Sequence, residues 1–553
     1  MPRNNETSFG EYFNLPNPGL RSYFDIVRKG QPDEYRTTFA KGSSLEEVLR
    51  DWSPYLEAIS EEWPSLVDFE NDLKAKVGPM SIMKPLSERM EDIDHYYDDI
   101  LLPSTPVSEV ALKAVIAEFR AIKGLRVRSQ PSTVDKMKKS TNSGSPYFTK
   151  RKLVVDKTIP CAVKIYNKNN GMQNYPDVFQ SLTADFPTYG AITRRVLTGS
   201  NIWRAAAVLG WRGQEGGPTD DDVKQRVVWM FPFAVNVREL QVYQPLIESC
   251  QKFNLVPAWV SMDSVDQRIT AMFDTKGKDD VVICTDFSKF DQHFNPDMSF
   301  AAHYILQKLL CGDVNSEDWL TSVFPIKYCI PLAYDYGKIR KGIHGMGSGS
   351  GGTNADETLV HRALQYEAAI SQHAMLNPNS QCLGDDGVLT YPGITVEDVV
   401  RSYSAHGQEM NTSKQYVSKH DCVYLRRWHH TNYRVNNVCV GVYSTYRALG
   451  RLMEQERYYD PEIWSKEMVA LRQLSIIENV KWHPLREQFA EFCMKRDKYR
   501  LGLDIPGFLD KIDSYAQRAT DLMPDFLGYT KSMTKDQEGL SSWWIVNYLK
   551  SKR

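Results

Sequence analysis

The residues best equipped for chemistry are carboxylates. An apolar, β-branched run, Val-Val-Ile-Cys-Thr at 281–285, leads directly into Asp286, and Asp291 follows five residues later. That composition predicts a buried strand that delivers Asp286 at its end. Positions five apart on a continuing strand face opposite sides, so the two acids share a site only if the strand stops near Asp286 and the chain turns through Ser288. Asn295-Pro296 then predicts the cap and first residue of a helix. A second acidic group, Gly384-Asp385-Asp386-Gly387, lies between apolar runs, the pattern of a hairpin carrying acids at its tip. Carboxylates gathered without a partner repel one another unless a cation neutralises them, and the ligands on offer are all oxygens. Hard Mg²⁺ or Mn²⁺ is implied, and two such ions roughly 4 Å apart, bridged by Asp286 and Asp385, suit nucleotidyl transfer or phosphodiester cleavage equally.

Two further segments could hold a phosphate. Six glycines fall between Gly342 and Gly352, ahead of Thr353 and an amphipathic helix. Gly347, Gly349 and Gly352 satisfy G-x-G-x-x-G, but the preceding YDYGKIRKG does not read as a buried strand and no G-K-[ST] follows. A dinucleotide fold is therefore disfavoured and a P-loop excluded, leaving a hinge or a helix N-terminus that seats a phosphate or sugar. From Lys136 to Lys152 there are six basic residues, no acidic ones and a Gly-Ser-Pro turn, either a solvated loop or a phosphate-backbone contact.

The elements that must position these groups belong to a large folded chain. Hydrophobic residues make up 42% and charged residues 25% of 553, which excludes wholesale disorder. With 67 Lys+Arg against 69 Asp+Glu, any nucleic-acid contact must come from local basic patches and not from the whole surface. Nine cysteines without a C-x-x-C pair suggest neither a disulfide framework nor a zinc ribbon, which fits a reducing compartment. The N-terminus lacks the apolar core of a signal peptide, and no apolar run reaches the roughly eighteen residues of a membrane span, so a cytosolic or packaged protein is expected. Short β-rich runs alternate with helical ones from about 280 to 440, and the pattern beyond is almost purely helical. This predicts an α+β sheet domain followed by a helical one.

In order, strand-Asp286-x4-Asp291, Ser348-Gly349-x3-Thr353 opening a helix, and Gly384-Asp385-Asp386 resemble the palm of viral RNA-dependent RNA polymerases. Ser348 lies 62 residues after Asp286, and Asp385 lies 37 after Ser348, spacings similar to that family's. The runs DFSKFDQHFN, SGSGGTNADE and LGDDG are most similar to those of the picobirnaviruses, double-stranded-RNA viruses near the partitiviruses. The resemblance covers about residues 140 to 430.

The resemblance implies a right-handed, α+β polymerase with fingers, a palm around a central antiparallel sheet, and a helical thumb. Its layout divides the chain into an N-terminal segment bridging fingers and thumb (1–100), fingers (101–265 and 295–342), palm (266–294 and 343–435), and thumb with C-terminal tail (436–553). It implies Asp286, Asp385 and Asp386 as ligands of two Mg²⁺ or Mn²⁺ ions and Lys414 as the acid that protonates leaving pyrophosphate. Lys224, Arg226, Asp291, Ser348, Gly349, Thr353 and Asn354 would meet the NTP. Thr141, Ser143, Gly144, Pro146 and Tyr147 would guide template RNA, and Leu425 and Arg426 would grip the nascent strand. Many relatives carry an asparagine four residues after the motif threonine, where Glu357 stands here with Asn354 displaced. Ribose selection would then fall to Asp291, Thr353 and Asn354. A small acid at 291 speaks against a reverse transcriptase, and the acid cluster against a capsid or RNA-packaging protein. Expected partners are RNA, NTPs and a capsid protein, with no membrane; the chain would act as a monomer in the virion interior and host cytoplasm. The Trp543-Trp544 tail is expected to pack on the thumb in preference to blocking a channel.

Overall fold

The computed structural model describes residues 9–10, 12–13, 16–145, 147–156, 158, 206–460, 462, 464–522 and 539–553. Three sheets organise the described residues. The first has the order β2-β1-β4-β5, from β1 (Ala207–Gln214), β2 (Lys224–Met230), β4 (Leu332–Asp335) and β5 (Lys338–Arg340). The second, β6-β7-β3-β8, joins β3 (Val282–Thr285), β6 (Gln381–Leu383), β7 (Asp386–Leu389) and β8 (Tyr416–Ser418), and every pairing in it is antiparallel. The third, β11-β10-β9, contains β9 (Asp421–Tyr424), β10 (Arg427–His430) and β11 (Val442–Tyr443).

The strand expected before Asp286 is β3, buried along its whole length, as a central strand covered on both faces must be. The helix expected after it is Pro296–Leu309, with Pro296 at its start, and the Asn295 side chain accepts the Met298 N–H at 3.1 Å. Helix Thr353–Ser371 follows the glycine turn and is buried on most of its surface. It packs on helices Glu109–Glu118, Pro296–Leu309 and Val396–Ser404 and on β6, so the site above it has a rigid floor. Two sequence expectations change. Lys338–Arg340, within a run not read as a strand, forms β5 at the edge of the first sheet. Of the run NVCVGVY only Val442–Tyr443 is a strand, because Asn436 and Asn437 take left-handed backbone and the Arg427 guanidinium fills the space where a Gly441 Cβ would stand.

The helical C-terminal region, from about residue 443 onward, is held by its own core. Phe39, Val48, Leu49, Trp52 and Leu56 from the N-terminal region join that core with Leu449, Leu471, Phe489 and Ile545. Phe9, Phe13, Leu20 and Phe24 instead pack with Ala206, Val208, Ala333 and Ile339 of the first sheet. Residues 9–56 therefore touch both bodies. The tail packs as expected: Ile545, Val546 and Leu549 are buried, Trp543 and Trp544 lie against the same core, and Glu478 accepts the Trp544 and Ile545 N–H groups at 3.0 and 2.9 Å. All cysteines among the described residues are free thiols, and among those residues no helix is long and apolar enough to cross a membrane.

Candidate active site

The two acidic segments meet because β3 and β7 pair antiparallel, with Thr285 opposite Gly387. One step further along that ladder sets Asp286 across from Asp386 and beside the turn that carries Asp385. The approach needs a glycine: a Cβ on Gly387 would lie 2.6 Å from the His361 ring and 2.8 Å from the Thr285 hydroxyl. Asp286 itself is exposed, and its backbone is clamped by a side chain that nothing in the sequence pattern marks. Gln415 accepts the Asp286 N–H at 2.7 Å and donates to the Asp286 carbonyl at 3.0 Å. Beyond it Phe287, Phe290 and Phe294 turn into the core while Lys289 takes φ +53, the turn that brings Asp291 back to the same side.

Gly384 and Asp385 form the two-residue turn between Leu383 and Asp386, with Gly384 at φ +57. The Gly384 N–H donates to the Thr358 hydroxyl at 2.9 Å, and the His361 Nδ1–H donates to its carbonyl at 2.8 Å, so the helix floor fixes the turn. The adjacent acids diverge. Asp385 stays at the exposed tip, and its carboxyl is held above the usual range by desolvation first, then by Asp291 and Asp286, with Arg226 opposing. Asp386 begins a strand, and its carboxylate accepts the Leu425 N–H at 2.8 Å. Burial and the neighbouring Asp385 push it to about 7.

The glycine turn is built against β2 and the helix Phe233–Lys252. A Cβ on Gly349 would stand 1.7 Å from the Trp229 carbonyl, so only glycine allows that approach. Ser348 accepts the Trp229 N–H at 3.3 Å and donates to the Val227 carbonyl at 3.4 Å. Thr353 spends its hydroxyl on the Gly347 carbonyl at 3.0 Å, and the Asn354 carbonyl accepts the Trp259 indole N–H at 2.8 Å. The Met346 N–H donates to the Asp291 carbonyl at 2.8 Å, which ties the turn to the acids. Glu357 is buried beside them with Oε1 unpaired. Burial first, then the neighbouring Asp291 and Asp385, raise its carboxyl far above the usual range. The buried Tyr96 phenol feels the fields of Asp291 and Glu357 and completes this pocket.

The opposite wall is basic. Lys224 and Arg226 are exposed on β2, and Arg226 is close enough to Asp385 to favour its ionised form. Burial, Lys76, Arg426 and Arg226 together lower Lys224. Leu425 and Arg426 form a two-residue turn between β9 and β10, both at positive φ (+54 and +59), and Arg426 lies 3.8 Å from Glu215, which also accepts from Arg447 at 3.1 Å. Lys414 is exposed in the turn Thr412–Lys414, next to the Gln415 clamp. In the basic loop, Ser143 and Gly144 are buried and shape the backbone, with the Ser143 hydroxyl accepting the Thr149 N–H at 3.2 Å. Thr141 and Tyr147 face outward, and Pro146 lies outside the described residues.

Comparison with known proteins then decides the family. Residues 219–439 match the family described as viral RNA-dependent RNA polymerase. A potential RNA-dependent RNA polymerase of a human picobirnavirus (strain Human/Thailand/Hy005102/-) is 61% identical over 552 residues, 99% of each chain. The chain belongs to the picobirnavirus RNA-dependent RNA polymerases. The crystal structure of a human picobirnavirus polymerase matches at 59% identity and TM-score 0.88 over 99% of each chain. An insertion-loop deletion mutant of such a polymerase matches at 58% and 0.87, also over 99% of each. The right-handed polymerase fold is thereby established.

Polymerases of this family use divalent cations, and the donor set suits them. Asp286 and Asp385 offer hard oxygens, and after burial it is the nearby Asp291 carboxylate that raises the Asp385 and Glu357 carboxyls, a repulsion that a bound cation would relieve. Among the described residues, no three acidic, histidine or cysteine side chains converge as a ready-made metal cage. Gln415, Tyr96 and Trp259 escaped sequence reasoning because each acts on a functional residue far away in the chain, and His361 because it acts on Gly384 across a change from helix to hairpin. Only His361, at i+4 from Glu357 on the same helix, carried a local signal.

Proposed function

We propose that this polymerase extends RNA by metal-dependent nucleotidyl transfer from NTPs to a 3′-hydroxyl, and that it replicates and transcribes a double-stranded RNA genome. The carrying observation is that the β3–β7 pairing sets Asp286 beside the turn that carries Asp385, with Asp291 and Arg226 near enough to act on the Asp385 carboxyl. Asp286 and Asp385 would hold the two ions, which when bound neutralise charge on the reacting oxygens and lower the pKa of the attacking hydroxyl. Arg226 and Lys224 meet the triphosphate, a role suited to a guanidinium through paired hydrogen bonds. Asp291, positioned by the Met346 N–H and lying beside Glu357, accepts the ribose hydroxyl; Asn354 and Thr353 border the same pocket. Lys414 supplies the proton to leaving pyrophosphate. Thr141 and Tyr147 guide template, and the Leu425–Arg426 turn supports the nascent strand. Asp386, with its carboxylate on Leu425, serves the turn more than the ions. On the same reading the enzyme acts as a monomer in the virion and host cytoplasm, in contact with capsid protein.

The test is incorporation of labelled NTP on single-stranded RNA with Mg²⁺, beside Asp385→Ala and a dNTP control. Asp385→Ala is expected to lose activity by about a hundredfold or more while still binding RNA. Undiminished synthesis by that variant, or equal use of dNTPs, overturns the assignment.

A further inference from the structure

One polar chain runs from the basic loop to the glycine turn through a residue that neither motif contains. Asn236, buried near the start of helix Phe233–Lys252, uses both ends of its amide. Its carbonyl accepts from Arg151 Nη2 at 2.8 Å. Its amide nitrogen donates to the Gly349 carbonyl at 3.2 Å and to Glu239 at 3.1 Å. Glu239, fully buried, accepts the Gly351 N–H at 3.1 Å and the Ser350 hydroxyl.

At the other end, Arg151 closes the basic loop: its N–H donates to the Thr141 carbonyl at 3.0 Å and its Nη1 to the Lys138 carbonyl at 3.3 Å. Among the described residues it has no carboxylate partner, and its guanidinium lies 5.0 Å from the centre of the Phe233 ring. Burial lowers its pKa to about 10, and among the described residues the Asn236 amide, the Lys138 carbonyl and the Phe233 ring face this cation. The same helix start also receives the loop directly, since the Phe233 N–H donates to the Ser143 carbonyl at 2.8 Å and a Cβ on Gly144 would lie 2.6 Å from the Phe231 carbonyl. The loop and the turn are therefore both seated on one short segment, residues 229–239.

We infer that Asn236 is a positioning residue that couples the seating of template in the 141–151 loop to the seating of NTP over the Ser348–Thr353 turn, with Arg151 and Glu239 as its two contacts. This rests on the template and NTP roles proposed above. A shift of the loop moves the Arg151 guanidinium and draws on the amide, and the amide is rigidly joined to Gly349 and Glu239. Such a coupling is reciprocal: template improves NTP binding by the factor by which NTP improves template binding.

The test is a double-mutant cycle on the full-length enzyme with Arg151→Gln, Asn236→Ala and the pair, reading NTP KM and kcat at saturating RNA, and RNA Kd without NTP. Each single variant is expected to raise NTP KM about fivefold with kcat little changed, and the double variant to be no worse than either single one. Arg151→Gln is the telling arm, since the loop it closes touches no NTP residue. Asn236→Asp is the second variant, which keeps the acceptor for Arg151 and removes the donor; it should hold RNA Kd near wild type and still raise KM. If Asn236→Ala fails to fold, Arg151→Gln with Asn236→Asp completes the cycle. Multiplying KM effects, or Arg151→Gln changing RNA Kd alone, overturn the coupling. Tyr147→Ala reports separately on the loop: unchanged RNA Kd there removes its template role, while non-additive KM effects would still show that Arg151 and Asn236 act as one unit.

Discussion

Asp385 and Asp386 are sequence neighbours in different surroundings. Asp385 sits at a turn tip facing Asp291 and Arg226, whereas the Asp386 carboxylate is spent on the Leu425 N–H. Asp386→Asn keeps an acceptor for that N–H, so it is expected to retain the fold and to lose activity by about tenfold or less, far less than Asp385→Ala. Steady-state incorporation by purified variants checks this, and equal losses would return Asp386 to the metal-binding set. His361 makes a pH prediction at the same scale. Its buried imidazole donates to Gly384, and burial pulls its pKa down to about 4. The unfolded chain takes up that proton near 6.5, so the unfolded state binds more protons between 6.5 and 4. Stability from a neutral His361 is thus full above 6.5 and is lost as pH falls through about 4, on the order of 3 kcal/mol. His303, His344 and His429 share the window and His483 reaches about 3, while buried Glu70, at about 7, works in the opposite sense. Thermal melts from pH 7.5 to 4.5 should show a shallower acid limb in His361→Gln, which keeps an N–H donor and cannot charge. An unchanged limb would mean His361 is not buried neutral.

At the scale of elements, the turns decide where the chemistry sits. The glycine turn lies so close to β2 that the Gly349 Cα hydrogen occupies space a methyl cannot share with the Trp229 carbonyl, 1.7 Å away. Backbone cannot yield as a flexible side chain does, so Gly349→Ala should destabilise by about 3 kcal/mol and displace Ser348 and Asn354. Denaturant unfolding together with NTP KM measures both effects, and a variant of normal stability would show the turn to be adjustable. The Leu425–Arg426 turn has the reverse character: two non-glycine residues held at positive φ cost on the order of 1 kcal/mol each, which the Asp386–Leu425 and Arg426–Glu215 contacts help to offset.

For the whole molecule, the N-terminal region ties two bodies together. Trp52 is fully buried, packs edge-on against Phe489 and Phe492 with ring centres 5.2 Å away in each case, and donates its indole N–H to the Thr445 hydroxyl at 2.7 Å. Thr445 starts helix Thr445–Met453, where buried Glu70 accepts its backbone N–H at 2.7 Å. Trp52→Ala is expected to cost about 3–5 kcal/mol and to lower the melting temperature of the C-terminal helical region before the palm. Differential scanning calorimetry resolves the two transitions; a single unshifted transition would mean that this contact does not hold the bodies together.

Sequence alone determined the strand into Asp286, the Asn295-Pro296 helix start, the hairpin tip at Asp385 and the order of motifs, because each is written in contiguous residues by burial pattern, cap chemistry or turn glycine. It also exposed the anomaly at Glu357. Only the tertiary structure decided that Asp385 and Asp386 diverge, that Ser143 is buried, and that Glu357 is buried within reach of the Asp291 charge. It alone supplied Gln415, Tyr96, Trp259 and Asn236. These depend on strand register and on contacts between residues about a hundred or more apart in the chain, and local periodicity carries no record of such pairings.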